Sequence, residues 1–174
     1  SLGNMDALRV CIFVNEHEVF GLKHMKNIYM EKAIELAKLA AKAGEIPVGA
    51  VVVRRRDGAI VGEGFNRREL DKNPVAHAEI IAIENAAKTL GGWRLSGCDL
   101  YVTLEPCPMC AGAIINSRID RIFFGAYDKK AGSVYSVVEL FSLPYNHKPE
   151  IYAGIMQEEC SALLSEFFKS LREK

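Results

Sequence analysis

Val48-Gly49-Ala50-Val51-Val52-Val53 and Ala59-Ile60-Val61-Gly62-Glu63-Gly64 stand on either side of Arg56-Asp57-Gly58. Two apolar, β-branched runs joined through an Asp-Gly turn read as an antiparallel hairpin. Downstream the pattern alternates. A polar loop covers 66–74, and helical spacing then runs over 77–90 until Gly91-Gly92 stops it. Asp99-Leu100-Tyr101-Val102-Thr103-Leu104 is a third strand, apolar enough to be buried on both faces. Residues 107–116 read as a helix and 121–126 as a fourth strand. A weak helix over 134–141 and a fifth strand over 151–155 follow. An amphipathic helix over 158–171 carries Leu163, Leu164, Phe167 and Phe168. Upstream of the hairpin, Ile28, Ala33, Ile34, Ala37, Ala40 and Ala41 recur at helical spacing across 27–43, ahead of Gly44. A hairpin followed by alternating helices and strands predicts an α/β fold, a three-layer α/β/α domain around a five-stranded mixed sheet.

The chain has 174 residues, 49% of them apolar, which suits one compact domain whose core needs no disulfide staples. Formal net charge is zero, so no global field draws the chain to nucleic acid or membrane. Arg54-Arg55-Arg56, Arg67-Arg68 and Lys129-Lys130 are local basic clusters, each first read as a solvated turn. The cysteines, Cys11, Cys98, Cys107, Cys110 and Cys160, are odd in number and irregular in spacing. They do not resemble a secreted disulfide framework and predict a reduced, cytoplasmic setting. No apolar run reaches the roughly 18 to 20 residues that span a bilayer. Residues 1–4 lack the features of a signal peptide and are set aside as a candidate vector remnant. Residues 1–24 are taken as an N-terminal extension, within which Leu8 and Val10-Cys11-Ile12-Phe13-Val14 fit a strand, a helix turn or vector sequence equally. Residues 25–174 are taken as the domain.

Two stretches carry chemistry: Pro74-Val75-Ala76-His77-Ala78-Glu79 and Thr103-Leu104-Glu105-Pro106-Cys107-Pro108-Met109-Cys110. Cys107 and Cys110 are three apart at a helix start, so both sulfurs can face one point. Free amides at a helix N-terminus favour thiolates, and Pro106 and Pro108 suit a first turn that needs no amide protons. The pair alone reads equally as metal ligands or as a buried or redox-active pair. His77 alone would be a cap or a packed side chain. Together the three supply one imidazole and two thiolates, whereas a structural zinc site normally takes four protein ligands. Cys11, Cys98 and Cys160 fall outside the motif. Three ligands with one position open is the catalytic zinc arrangement. Glu79, two residues beyond His77, points to a different side of its helix, so it does not duplicate that ligand. A carboxylate there suits general acid–base work; a plain N-terminal Glu favoured by the helix dipole would explain its type but not its register with the triad.

His-x-Glu followed by Pro-Cys-x-x-Cys is the signature of the zinc-dependent nucleobase deaminases. Beyond it, the chain resembles the bacterial tRNA-specific adenosine deaminases of the cytidine/deoxycytidylate deaminase superfamily from about residue 30 onward. The marks are Ile46-Pro47-Val48-Gly49-Ala50-Val51, Gly62-Glu63-Gly64-Phe65-Asn66, Ala76-His77-Ala78-Glu79-Ile80, the stretch 103–111, Phe124-Gly125-Ala126 and the stretch 160–168. This resemblance implies a cytidine-deaminase-like fold holding one Zn2+ per chain on His77, Cys107 and Cys110, with Glu79 catalytic. It implies hydrolytic deamination of adenosine to inosine at the wobble position of a tRNA anticodon stem-loop, by a homodimer. Asn66 would hydrogen-bond the flipped base, the Ala78 amide would sit at the reaction centre, and Asp128 would contact ribose or neighbouring backbone. Asn146 and Phe167-Phe168 would hold flanking nucleotides, although the two phenylalanines read more simply as core. Arg67, Arg68, Lys129 and Lys130 would meet phosphates. Two features depart from the family: residues up to about 20 have no counterpart, and Val134-Tyr135 stand where smaller residues are expected. Deamination of free bases or nucleosides, of guanine or cytosine type, is the nearest rival. A zinc-stabilised RNA-binding module without turnover is the other, and Glu79 argues against it.

Overall fold

The computed structural model describes residues 16–173; Cys11 and the candidate strand at 8–14 lie outside them. In chain order the elements are α1 (Glu16–Lys42), β1 (Gly49–Arg54), β2 (Ala59–Phe65), α2 (Arg68–Asp71), α3 (Ala78–Leu90), β3 (Cys98–Leu104), α4 (Pro108–Ser117), β4 (Arg121–Ala126), β5 (Glu150–Ala153) and α5 (Gln157–Arg172). The five strands form one mixed sheet in the order β2-β1-β3-β4-β5. β1 runs antiparallel to both β2 and β3, while β3, β4 and β5 are parallel. The expected hairpin and three-layer α/β/α architecture are both present.

Alternation along β1 sorts the layers. Ala50 and Val52 face the core under α3 and α4, together with Leu100, Val102, Ile122 and Phe124. Val51 and Val53 face the opposite core with Tyr101, Phe123, Met30, Ala33 and Cys160, beneath α1 and α5. On that second face Tyr101, Phe123 and Tyr152 occupy paired positions on neighbouring strands. Their rings stack at centroid distances of 4.4 and 4.6 Å, a cross-strand ladder that ties the parallel half of the sheet together.

The two alternate glycines of β2 set where α3 lies. A Cβ on Gly62 would run into the Ala82 carbonyl and come within 2.6 Å of the Ala86 nitrogen. One on Gly64 would strike the Ala78 carbonyl and come within 2.8 Å of the Ala82 nitrogen. The helix backbone therefore rests directly on the strand, and the Gly-x-Gly of the sequence is the space it occupies. Small residues complete the contact from the helix side: Ala78, Ala82 and Ala86 are all buried.

Three expectations change. Helix α1 starts at Glu16 rather than near residue 27; Val19, Leu22 and Met25 stand at three-residue spacing ahead of Ile28, so the helical pattern itself extends upstream. The polar loop at 66–74 contains the short helix α2. No α-helix forms over 134–141; the segment is turns ending in a 3-10 turn at Leu140–Ser142. There the amides of Val134, Tyr135 and Ser136 donate to the side chain of Glu105, and those of Val137 and Leu140 donate to the carbonyls of Gly132 and Ser133, a spacing that does not continue as an α-helix.

Gly62→Ala is expected to cost about 1–3 kcal/mol of stability, the usual range for overpacking a close contact. The measurement is the midpoint of chemical denaturation; an unchanged midpoint would show that α3 does not depend on this approach.

Candidate active site

Two helix N-termini meet at one end of the sheet. His77 is the N-cap residue of α3 and Cys107 that of α4, each with extended backbone and neither using its side chain as a cap. Both side chains are thereby free to face the gap between the helices, and Cys110 reaches the same gap from the first turn of α4. His77 Nδ1 lies 3.6 Å from Cys107 Sγ and 3.6 Å from Cys110 Sγ. The ligand atoms of all three residues lie within 4.8 Å of one another. Zinc bonds of about 2.0 Å to nitrogen and about 2.3 Å to sulfur, set tetrahedrally, place N and S roughly 3.5 Å apart. The observed separations match that requirement, and the donor set of one imidazole and two sulfurs suits zinc.

Electrostatics before metal binding reflect the crowding of these groups. Cys107 is held down to about 4, chiefly because the Cys110 thiol donates a hydrogen bond to it, against the opposing effect of burial. Cys110 is correspondingly driven far above the ordinary thiol range by that same bond and by burial. A dication at this point reverses the direction for Cys110, since it favours both thiolates. Glu79 is 3% exposed, and burial pushes its carboxyl up to about 7. A carboxyl that titrates near neutrality can both accept and return a proton.

Glu79, His77 and Cys107 share a cavity of about 240 Å³ with Asn66, Arg68 and Asp128. A more open groove of about 730 Å³ lies along Arg54, Arg55 and Arg56 beside Gly97. It holds none of the ligand triad, so the smaller cavity is the one with chemistry.

Of the residues expected from sequence, the structure gathers most but not all. Asn66 is buried on the cavity wall, and its Oδ1 accepts the Ala78 N–H at 3.0 Å. The Ala78 amide is thus already engaged, and Asn66 serves as the side-chain cap that α3 otherwise lacks. The Asp128 carboxylate accepts from the amides of Lys130 and Ala131 at 3.0 and 3.3 Å, a turn that fixes its place on the wall. Asn146 is exposed and does not line the cavity. Phe167 and Phe168 are not core: they meet edge to face at 5.6 Å, and Phe168 is 42% exposed. Arg67 is committed to Asp71 through two hydrogen bonds of 2.9 Å. Arg68, beside it, lines the cavity. Of the two rim departures, Val134 turns into the core while Tyr135 stays exposed. Glu105 also lines the cavity, and spacing alone gave no sign of it, since a Glu ahead of Pro-Cys has no periodic partner.

Cys107→Ala and Cys110→Ser are each expected to lose most of the metal, because two ligands hold zinc poorly. Glu79→Ala is expected to retain about one zinc per chain, as the carboxylate lies outside the three-ligand set. Elemental analysis of the three purified variants checks both statements, and full zinc in either cysteine variant would remove that residue from the ligand set.

Comparison with known proteins agrees with this site. Residues 23–126 match the family model for the cytidine and deoxycytidylate deaminase zinc-binding region. The chain is 47% identical to a tRNA-specific adenosine deaminase of Bacillus subtilis (strain 168), over 84% of this chain and 91% of that one. It is 51% identical to a tRNA-specific adenosine deaminase of Haemophilus influenzae, over 83% and 84% respectively. Among solved structures, a tRNA:A34 deaminase of A-to-I editing at the wobble position of transfer RNA superposes with a TM-score of 0.75 at 44% identity, covering 78% of this chain and 98% of that one. A guanine deaminase from Nitrosomonas europaea superposes with a TM-score of 0.69 at 25% identity, covering 95% and 98%. The cavity at the paired helix starts is therefore a deaminase centre, and the chain belongs to the zinc-binding cytidine and deoxycytidylate deaminase family.

Proposed function

We propose that this enzyme hydrolyses adenosine to inosine at the wobble position of a tRNA anticodon. The observation that carries deamination is the burial of Glu79 in the same cavity as His77 and Cys107, whose ligand atoms converge with that of Cys110. When bound, zinc supplies the Lewis acidity that makes water a nucleophile near neutral pH. Glu79 takes one proton from the attacking water and passes it to the ring nitrogen, then takes the second from the hydroxyl left on the ring carbon and passes it to the amine, which departs as ammonia as the carbonyl forms. Asn66 has its Oδ1 occupied by the Ala78 N–H, so its Nδ2 group is the donor it can offer the base. Ala78 contributes through that bond and its close packing. Asp128 is assigned to the ribose side, and Asn146 to nucleotides outside the cavity.

RNA is favoured over a free base by the relatives and by charge at the mouth. The tRNA-specific deaminases are 47% and 51% identical, against 25% for the guanine deaminase. Arg54, Arg55, Arg67 and Arg121 are each paired with an aspartate. Arg68 on the cavity wall and the exposed Lys129 and Lys130 have no such partner among the described residues, which leaves them for phosphates. An anticodon loop presents unstacked bases, so extruding one costs less than in a duplex.

The deaminase unit is assigned to residues 25–174, although α1 begins ahead of it at Glu16. Among the described residues no helix is long and apolar enough to cross a membrane. Cys98, Cys107, Cys110 and Cys160 are all free thiols, which supports a reducing, cytoplasmic location. A homodimer is supported by an exposed apolar groove between α3 and α4, lined by Ile80, Ile83, Ala87, Trp93 and Ala113, with Trp93 58% exposed. Sedimentation at micromolar concentration is expected to show the mass of two chains; a single-chain mass would exclude the dimer.

The functional test compares an anticodon stem-loop carrying the wobble adenosine with free adenosine at two salt concentrations. The stem-loop is expected to be the faster substrate. Its binding should weaken with a log–log salt slope of roughly −2 to −3, for about three phosphate contacts. Lys129→Glu with Lys130→Glu should flatten that slope while zinc content stays constant. Glu79→Ala should lower turnover by about 10²- to 10⁴-fold. Faster turnover of free adenosine would overturn the RNA assignment.

A further inference from the structure

Glu105 takes no part in the chemistry above, yet it is 1% exposed, two residues ahead of Cys107 and on the cavity wall. A buried carboxylate is costly unless its oxygens are satisfied. Oε1 accepts the amides of Val134, Tyr135 and Ser136 at 3.3, 2.7 and 2.9 Å. Oε2 accepts the Asp128 amide at 2.9 Å and the Ser136 hydroxyl. Burial alone would raise this carboxyl, but the bonds from Ser136, Tyr135 and Asp128 outweigh it and hold it below its usual value. Every one of these donors comes from the loop that follows β4. Gly132 of the same loop lies so close that a Cβ there would run into the Glu105 carboxylate.

The loop is also held by Val134, buried in the core, by the Ser133 N–H donating to the Pro106 carbonyl at 2.8 Å and by its own turn at Asp128. It pairs with no strand, and three of its amides have only Glu105 as partner. Buried amides without a ladder need some acceptor, and successive N–H groups wrapped around one anion make a nest. Here the anion belongs to the chain itself. Asp128 and Ala131 of this loop line the cavity beside His77 and Glu79, and the exposed Lys129, Lys130 and Tyr135 lie on it too. None of the bonds to the Glu105 carboxylate comes from α3, α4 or a metal ligand.

We propose that Glu105 is a positioning residue whose carboxylate sets the 128–136 loop as the substrate-facing wall of the cavity, and so governs RNA binding rather than the chemical step. The second half of that statement rests on the RNA reading given above; the first half does not.

Glu105→Gln and Ser136→Ala, both zinc-loaded, test it. Gln keeps one carbonyl for the amides at 134–136 but can set an NH₂ group against the Asp128 N–H. Ser136→Ala removes one donor and leaves the four amides in place. For Glu105→Gln, KM for the stem-loop should rise about ten- to a hundredfold, with kcat within about threefold of wild type. Ser136→Ala should raise KM by about three- to tenfold. Zinc content should stay the same in both. Hydrogen exchange at the Val134, Tyr135 and Ser136 amides should quicken by about tenfold or more in Glu105→Gln and by less in Ser136→Ala. A fall in kcat at constant KM, loss of zinc from a folded Glu105→Gln protein, or unchanged exchange would each overturn the proposal. If Glu105→Gln fails to fold, Ser136→Ala decides, and wild-type KM with wild-type exchange there would overturn it. Exchange needs no substrate, so it judges the loop even where wild-type enzyme proves inactive on the stem-loop, an outcome that would instead sink the RNA reading.

Discussion

Three ligand atoms from two helices have to lie within 4.8 Å of one another before any metal arrives. A thiolate, a thiol, an imidazole and a buried carboxyl do not gather spontaneously, so the gathering must be enforced by packing. The sheet does this by letting α3 approach β2 at backbone distance over Gly62 and Gly64, while the short Glu105-Pro106 link carries β3 directly into α4. Once both helices are placed, their N-termini cannot avoid each other, and the extended N-cap backbones of His77 and Cys107 aim the ligands inward. Asn66 joins the two halves of this device: it ends the Gly-x-Gly strand and accepts the first amide of α3.

Burial then tunes each acid according to its donors. Glu79 and Glu105 are both nearly inaccessible carboxylates on one cavity, but they shift in opposite directions. Glu79 lies where desolvation dominates, and it is lifted toward neutrality. Glu105 lies in a nest of amides and a hydroxyl that favour its charge. The first environment suits a group that must change protonation during a reaction, the second a group that must not. The same cavity therefore separates a mobile proton site from a fixed anchor by the number of hydrogen-bond donors each carboxylate meets.

Much of this was legible in the sequence, and the failures have definite causes. The hairpin at 48–64, the buried strand at 99–104 and the ligand motif all obey local rules of period, turn chemistry and spacing, so they could be read from neighbours along the chain. The helical reading of 134–141 failed because the segment folds as turns, its first three amides gathered on Glu105 some 30 positions away and those of Val137 and Leu140 on Gly132 and Ser133. The early start of α1 was legible too, in Val19, Leu22 and Met25 at three-residue spacing ahead of Ile28. Arg67 and Arg68 read alike in sequence, yet one is bound to Asp71 and the other borders the cavity. Phe167 and Phe168 were read as core from hydrophobicity, but α5 near its C-terminus is exposed on most sides. In the other cases the deciding partner or its absence is a property of the tertiary fold.

That distinction also resolves how a chain of zero net charge can serve a polyanion. Balance in composition does not mean balance at every point on the surface. Asp57, Asp120, Asp71 and Asp99 each hold an arginine, which offsets the charge of those four. Other cations, Arg56, Lys72, Lys88 and Lys148 included, also lack an ion pair among the described residues, but Arg68 lines the cavity and Lys129-Lys130 lie on the loop anchored by Glu105, so these three border the site itself. A field confined in this way falls off within roughly 8–10 Å at physiological salt. It therefore favours phosphates already near the mouth over duplex RNA met elsewhere on the surface. Under this arrangement the selectivity of the enzyme comes less from attraction to nucleic acid in general than from the cations held at the mouth, and for Lys129 and Lys130 the holding group is the buried carboxylate of Glu105.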